Sequence, residues 1–175
     1  MGVFEFAVHI KTDLAAVYRA FWELEDWTKV AAHVREIEML YEDENVQVLL
    51  MHVVTRNHHD KFKSVRYRQG DTIYYFQPTP PPILNAHRGF WRFVEDEEGV
   101  TVISCHEIDV NIEGANAFLR RTGVEPPENA GETIQKIRSL ITNNSLQTMN
   151  ALKKRLENET GENYEAHENK ISVTA

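Results

Sequence analysis

Thiol chemistry is almost absent from this 175-residue chain: Cys105 is its one cysteine. No internal disulfide can form, and a reducing cytoplasm fits; the sequons at Asn143 and Asn158 then mean nothing. Long apolar runs are missing too. None approaches the roughly 20 residues that span a bilayer, and Met1-Gly2-Val3-Phe4-Glu5-Phe6 lacks the basic start of a signal peptide and the Ser/Thr of a myristoylation signal. No membrane contact is expected. Basic charge is scarce, with 19 Lys and Arg against 27 Asp and Glu and a net charge of -8. That balance argues against nucleic acid as a partner, which needs a basic footprint. There is no Gly-rich phosphate loop and no nucleophile elbow. His106-Glu107 has no second histidine of a zinc helix, and consecutive side chains of His58-His59-Asp60 diverge on a strand. Neither a metal nor a cofactor is expected.

What remains is an ordinary one-domain composition, 42% hydrophobic and 26% charged. Phe4, Phe6, Val8 and Ile10 share one parity and predict a first strand. Thr12 or Asp13 caps a helix carrying Leu14, Val17, Tyr18 and Phe21, and a second short helix covers Asp26 to Ala32. From Val34 the period becomes that of strands, near 35–42, 46–54, 59–68, 72–77, 83–94 and 101–112. Turn signals at 42–45, 69–71 and 96–99 separate them, which predicts an antiparallel meander. Gly114 to Asn129 reads as a mixed connection. A long amphipathic helix follows from Glu132 to Leu156, with Ile134, Ile137, Ile141, Met149, Leu152 and Leu156 as its buried stripe. The expected organisation is one domain over 1–156 and a disordered polar tail over 157–175.

Lys61-Phe62-Lys63-Ser64-Val65-Arg66-Tyr67 alternates strictly. With both lysines in water, Phe62, Ser64 and Arg66 face the interior. A guanidinium there needs a carboxylate, carbonyls or a ligand oxygen beside it. A structural ion pair satisfies it as well as a ligand does, and an inverted register leaves it exposed. On 101–112, Ser104 and His106 share a face with Val102, Ile108 and Val110, opposite Glu107, Asp109 and Cys105. On 83–94, His87, Gly89, Trp91 and Phe93 lie opposite Arg88 and Arg92. Three alternations thus deliver Arg66, His87 and His106 to one interior, with Tyr18, Tyr67, Tyr75 and Trp27 as further candidates for lining, Tyr67 on the opposite parity.

Strand, two short helices, six strands and a closing helix form an α+β order. It resembles the helix-grip fold of the START-like (Bet v 1-like, SRPBCC) superfamily: a curved antiparallel sheet of about seven strands around a C-terminal helix, with an internal cavity. Ala16-Val17-Tyr18 with Glu25-Asp26-Trp27 is similar to the family's first helix and tryptophan turn. His87 to Phe93 with Gly99-Val100-Thr101-Val102 is similar to its paired late strands, and His106-Glu107-Ile108-Asp109-Val110 to the end of its last strand. Ser64-Val65-Arg66-Tyr67 resembles the serine-x-arginine strand of bacterial polyketide aromatase/cyclases, whose arginine sits in the pocket. The chain departs from these cyclases at three places. Val34, with His33 adjacent, stands where they carry a pocket tyrosine; Gly89 replaces a tryptophan, with Trp91 two residues on; His106 replaces a glutamine.

The resemblance implies an aromatase/cyclase that promotes aldol cyclisation and dehydration of a poly-β-ketone. The substrate's carrier would be an acyl carrier protein, with a ketosynthase complex as a further partner. Arg66, His106 and His87 are the expected catalytic residues. Ser64, Trp27, His33, Phe62, Tyr18, Gly89, Trp91 and Ser104 are expected to bind substrate, with Gly89 leaving room in the cavity. Lys29, Arg35, Arg120 and Arg121 are expected at its mouth. The same superfamily includes noncatalytic binders of apolar small molecules and lipids, in which Arg66 would pair with a ligand carboxylate or phosphate.

Overall fold

Period-two alternation builds one antiparallel sheet. The computed structural model describes residues 1–55 and 58–171, with side chains to residue 158. Among these, β1 (Gly2–Ile10) is followed by α1 (Leu14–Trp22) and α2 (Trp27–Val30). Then come β2 (Val34–Glu42), β3 (Val46–Thr55), β4 (His58–Gln69), β5 (Thr72–Thr79), β6 (Leu84–Asp96) and β7 (Gly99–Val110). The chain closes with α3 (Ile112–Arg121) and α4 (Ala130–Ile171). The strand order is β1-β7-β6-β5-β4-β3-β2. Register shifts in β2, between Lys63 and Val65 in β4, and between Leu84 and Ala86 in β6 bend the sheet around its helix. Gly70, at φ 58°, makes the tight β4–β5 turn. This is the helix-grip architecture expected from the element order.

Three expectations need correction. The connection from Gly114 contains a full helix, α3. Asn111 caps it by accepting from Gly114 N at 3.1 Å, and Ala115, Phe118 and Leu119 form its buried face. Glycine and the later prolines had masked that spacing. Ile134 is 39% exposed; Thr133 takes the inward place and donates to Asn116 Oδ1 of α3 at 3.0 Å. Finally, α4 continues to Ile171, past Leu156 where its apolar stripe ends. The expected tail lies largely beyond the residues whose side chains are described.

Two apolar clusters hold the layers together. One joins α1, α2 and the sheet to Met149, Leu152 and Leu156 of α4; the other joins Phe4, Ile108, Phe118 and Leu119 to Ile137. Polar residues of α4, Asn144, Ser145 and Thr148, fall between them and face a cavity rather than a packed core.

Candidate functional site

One lateral row of residues crosses all seven strands on the concave face. Register pairs Glu42 with Gln47, Gln47 with Arg66, Arg66 with Tyr75, Tyr75 with Gly89, Gly89 with His106, and His106 with Phe4. A cavity of about 190 Å³ lies between this sheet and α4. Arg66, His87 and His106 all line it, with Ser64, Trp27, His33, Phe62 and Trp91.

Arg66 is 3% exposed. Its guanidinium closes the C-terminal end of α1: Nη1 donates to Trp22 O at 3.2 Å and Nη2 to Phe21 O. Cationic side chains are favourable at such a terminus, where backbone carbonyls lack helical partners. Nη1 also donates to Gln47 Oε1 at 2.9 Å, and Gln47 Nε2 donates to Glu42 Oε1 at 2.6 Å. The carboxylate therefore balances the cation through one intervening amide. Trp22, Trp27 and Trp91 surround the guanidinium with ring centroids 5.5, 5.6 and 5.6 Å away. Burial pushes its pKa down to about 9, opposed by Glu42 and Tyr18, so it stays charged at neutral pH. Nε has no hydrogen-bond partner.

His106 is the hub of the other half of the row. Its Nδ1 lies 2.8 Å from Tyr75 Oη and 3.0 Å from His87 Nε2, while its Nε2 lies 3.2 Å from Ser104 Oγ and 3.3 Å from Ser145 Oγ. Phe4 and Phe6 stack on the ring at 5.2 and 5.5 Å. Burial lowers the His87 pKa to about 4; burial and then the charge of His87 lower that of His106 to about 3. Both rings are neutral at pH 7. The heavy-atom geometry accepts either His106 tautomer, because each of its nitrogens meets groups that can donate or accept. A proton can accordingly pass between rings without either moving far.

Three expected binding residues stand elsewhere. Tyr18 packs on Phe93, ring centroids 4.9 Å apart, and lines a separate surface cleft with Arg68 and Asp71. Ser104 is fully buried behind His106 and holds its ring rather than facing the cavity. Gly89 makes room for Tyr75: a Cβ there would sit 2.6 Å from Tyr75 Oη and 2.0 Å from Cys105 O. At the expected mouth, Lys29 is paired with Asp26 at 2.7 Å, while Arg120 and Arg121 end α3, whose Phe118 lines the cavity. Burial, with Glu5 adding to it, pushes the Cys105 thiol up to about 11, and its register partner is Glu5.

Sequence reading missed Gln47, Gln77 and Ser145 and gave Tyr75 no chemical role. The signal for Ser145 was present as the two-turn gap in the apolar stripe between Ile141 and Met149. Gln47 and Gln77 share parity with Leu49 and Tyr75 but look like solvated strand residues. Among the described residues, no three His, Cys, Asp or Glu side chains gather where they could hold a metal, and no helix is long and apolar enough to cross a membrane.

Solved structures share this architecture. The chain is similar to the Zhui aromatase/cyclase from Streptomyces sp. R1128, at 20% identity and TM-score 0.76, over 91% of this chain and 95% of that one. It is similar to the di-domain ARO/CYC StfQ of the steffimycin biosynthetic pathway, at 22% identity and TM-score 0.79, over 91% of this chain. It spans about half of StfQ, covering 52% of that chain. A START superfamily protein from Mycobacterium smegmatis matches at 10% identity and TM-score 0.67, over 89% of this chain and 97% of that one. No protein-family model matches the chain, and no curated protein matches it in sequence. At these identities the likeness establishes a START-like helix-grip fold.

Proposed function

We propose that this START-like chain is an aromatase/cyclase that closes and dehydrates a ring on a carrier-bound poly-β-ketone. The observation that carries the reading is the pairing, on one cavity wall, of a buried cation with two neutral, hydrogen-bonded histidines. The fold shared with aromatase/cyclases supports it.

The chemistry follows from that arrangement. The cavity holds a flexible chain in one fold, which removes much of the entropic barrier to an intramolecular reaction. A neutral imidazole accepts a proton from a methylene flanked by carbonyls. The resulting enolate carbon bonds to a ketone carbon, and the ketone oxygen becomes an alkoxide. Arg66 Nε–H, free of protein partners, donates to that oxygen and stabilises its charge. The proton held by His87 and His106 then returns to the oxygen. Removal of a second α-proton and loss of the hydroxyl, protonated as water, gives the unsaturated ring. The imidazolium formed in the first step of that dehydration then protonates the leaving hydroxyl. Tyr75, Ser104 and Ser145 position the rings.

A second reading, a noncatalytic carrier of an apolar molecule, draws on one observation: both Nη groups of Arg66 are engaged by Phe21 O, Trp22 O and Gln47 Oε1. Incubation with a poly-β-ketone on its acyl carrier protein separates the two. Cyclisation predicts a ring product distinct from the spontaneous mixture; binding without a change in products would establish the carrier.

A further inference from the structure

Three buried side-chain polar atoms among the described residues lack a hydrogen-bond partner: His33 Nδ1, Arg66 Nε and Gln77 Oε1. All three residues line the same cavity. Buried polar atoms are otherwise nearly always satisfied, since each orphan costs free energy. One isolated orphan is readily served by a water. Three around one cavity instead describe the complement of a ligand, and two of them have fixed polarity. Arg66 Nε–H can only donate, and Gln77 Oε1 can only accept.

Sheet geometry spaces these two. Tyr75 is the register partner of Arg66, and Gln77 lies two residues farther along β5, at the irregularity where Gln77 and Pro78 together oppose Ser64, and lines the cavity. Their Cα atoms are therefore about 8 Å apart, one step along the strand and one across. Ser64 and Phe62 line the wall on the adjoining strand, and Trp27 and Trp91 supply flat apolar surface close to Arg66. Between the polar ends the cavity is suited to a planar or extended carbon skeleton.

We propose that Gln77 is a specificity residue: the cavity selects a ligand carrying a carbonyl-type oxygen for Arg66 Nε and, across the skeleton, a hydroxyl donor for Gln77 Oε1. The proposal rests on the proposed function in using the same cavity. On a poly-β-ketone the hydroxyl would be an enol, so Gln77 would favour the enolised form at one fixed position. A fully keto chain, or an ether, leaves the carboxamide oxygen unpaired.

The test uses three unreactive probes of one shape with the full-length protein: 6-acetyl-2-naphthol, its methyl ether, and 6-ethyl-2-naphthol. Dissociation constants are read by calorimetry. The acetylnaphthol should bind about tenfold more tightly than either analogue, each of which leaves one buried group unpaired. Gln77→Leu should erase the preference over the ether while leaving ether binding within about twofold. Gln77→Met serves the same end should the leucine variant fold poorly. Equal binding of naphthol and ether by the wild-type protein, equal weakening of both by the variant, or no binding of any probe would overturn the proposal. Because no probe reacts, failure of cyclisation and failure of this selection are read independently.

Discussion

His87 and His106 tie stability to pH. Their folded pKa values, about 4 and about 3, lie below the ordinary histidine value because burial opposes the charged form. As pH falls below about 6.5 the unfolded chain binds protons that the folded chain refuses. Their contribution is thus fully present above pH 6.5 and declines steadily toward pH 4. His106→Gln removes one of the two groups, so its stability should fall less steeply over that window. Denaturation midpoints at pH 7 and pH 4.5 check this; identical acid sensitivity in the variant would show that other groups govern the slope.

Arg66 joins β4 to the end of α1, so its loss is felt by the helix as much as by any ligand. Arg66→Met removes three donated hydrogen bonds and leaves Phe21 O and Gln47 Oε1 to find other partners, while Trp22 O keeps the bond from Gln47 Nε2. The expected cost is about 2–4 kcal/mol, measurable by urea denaturation; a loss under about 1 kcal/mol would mean that the anchoring is incidental. Lysine keeps the charge without the fork, so Arg66→Lys should recover only part of it. The inward parity of Arg66 was legible from Lys61 and Lys63, but its attachment to α1 was not. Backbone carbonyls leave no mark in a sequence, and a helix terminus meets this strand only through the fold. For the same reason Ser104 shared the correct face yet stands behind His106, and Tyr18 shared α1's apolar pattern yet faces another cleft. Alternation gives the side of a sheet, not the depth within it. The strand series was legible throughout because its turns and periods are local. The α3 helix was not, since Gly114 and Pro126-Pro127 suggested a broken connection.

Across the molecule, two apolar clusters brace opposite parts of α4, and the polar stretch Asn144–Thr148 roofs the cavity between them. Stability and site are thereby separated along one helix. The acidic whole would have to receive an acidic carrier through a local basic feature. Arg120 and Arg121, exposed in the last turn of α3, are the candidates, whereas Lys29 is tied to Asp26, whose carboxylate it shares with Arg155. Reversing both arginines to Glu should slow turnover of carrier-bound substrate about tenfold or more at low salt and spare a small soluble thioester. Equal effects on both substrates would place docking elsewhere.

The most direct measurement is the single-turnover rate of ring formation from carrier-bound poly-β-ketone by wild-type protein and a variant carrying both His87→Gln and His106→Gln. Glutamine keeps hydrogen-bonding groups beside Tyr75 and Ser145 but cannot take up a proton. If the histidine pair moves the proton, the rate should fall by about 10²–10⁴ while substrate affinity stays within a few-fold. A variant that forms the same ring at the wild-type rate would contradict it.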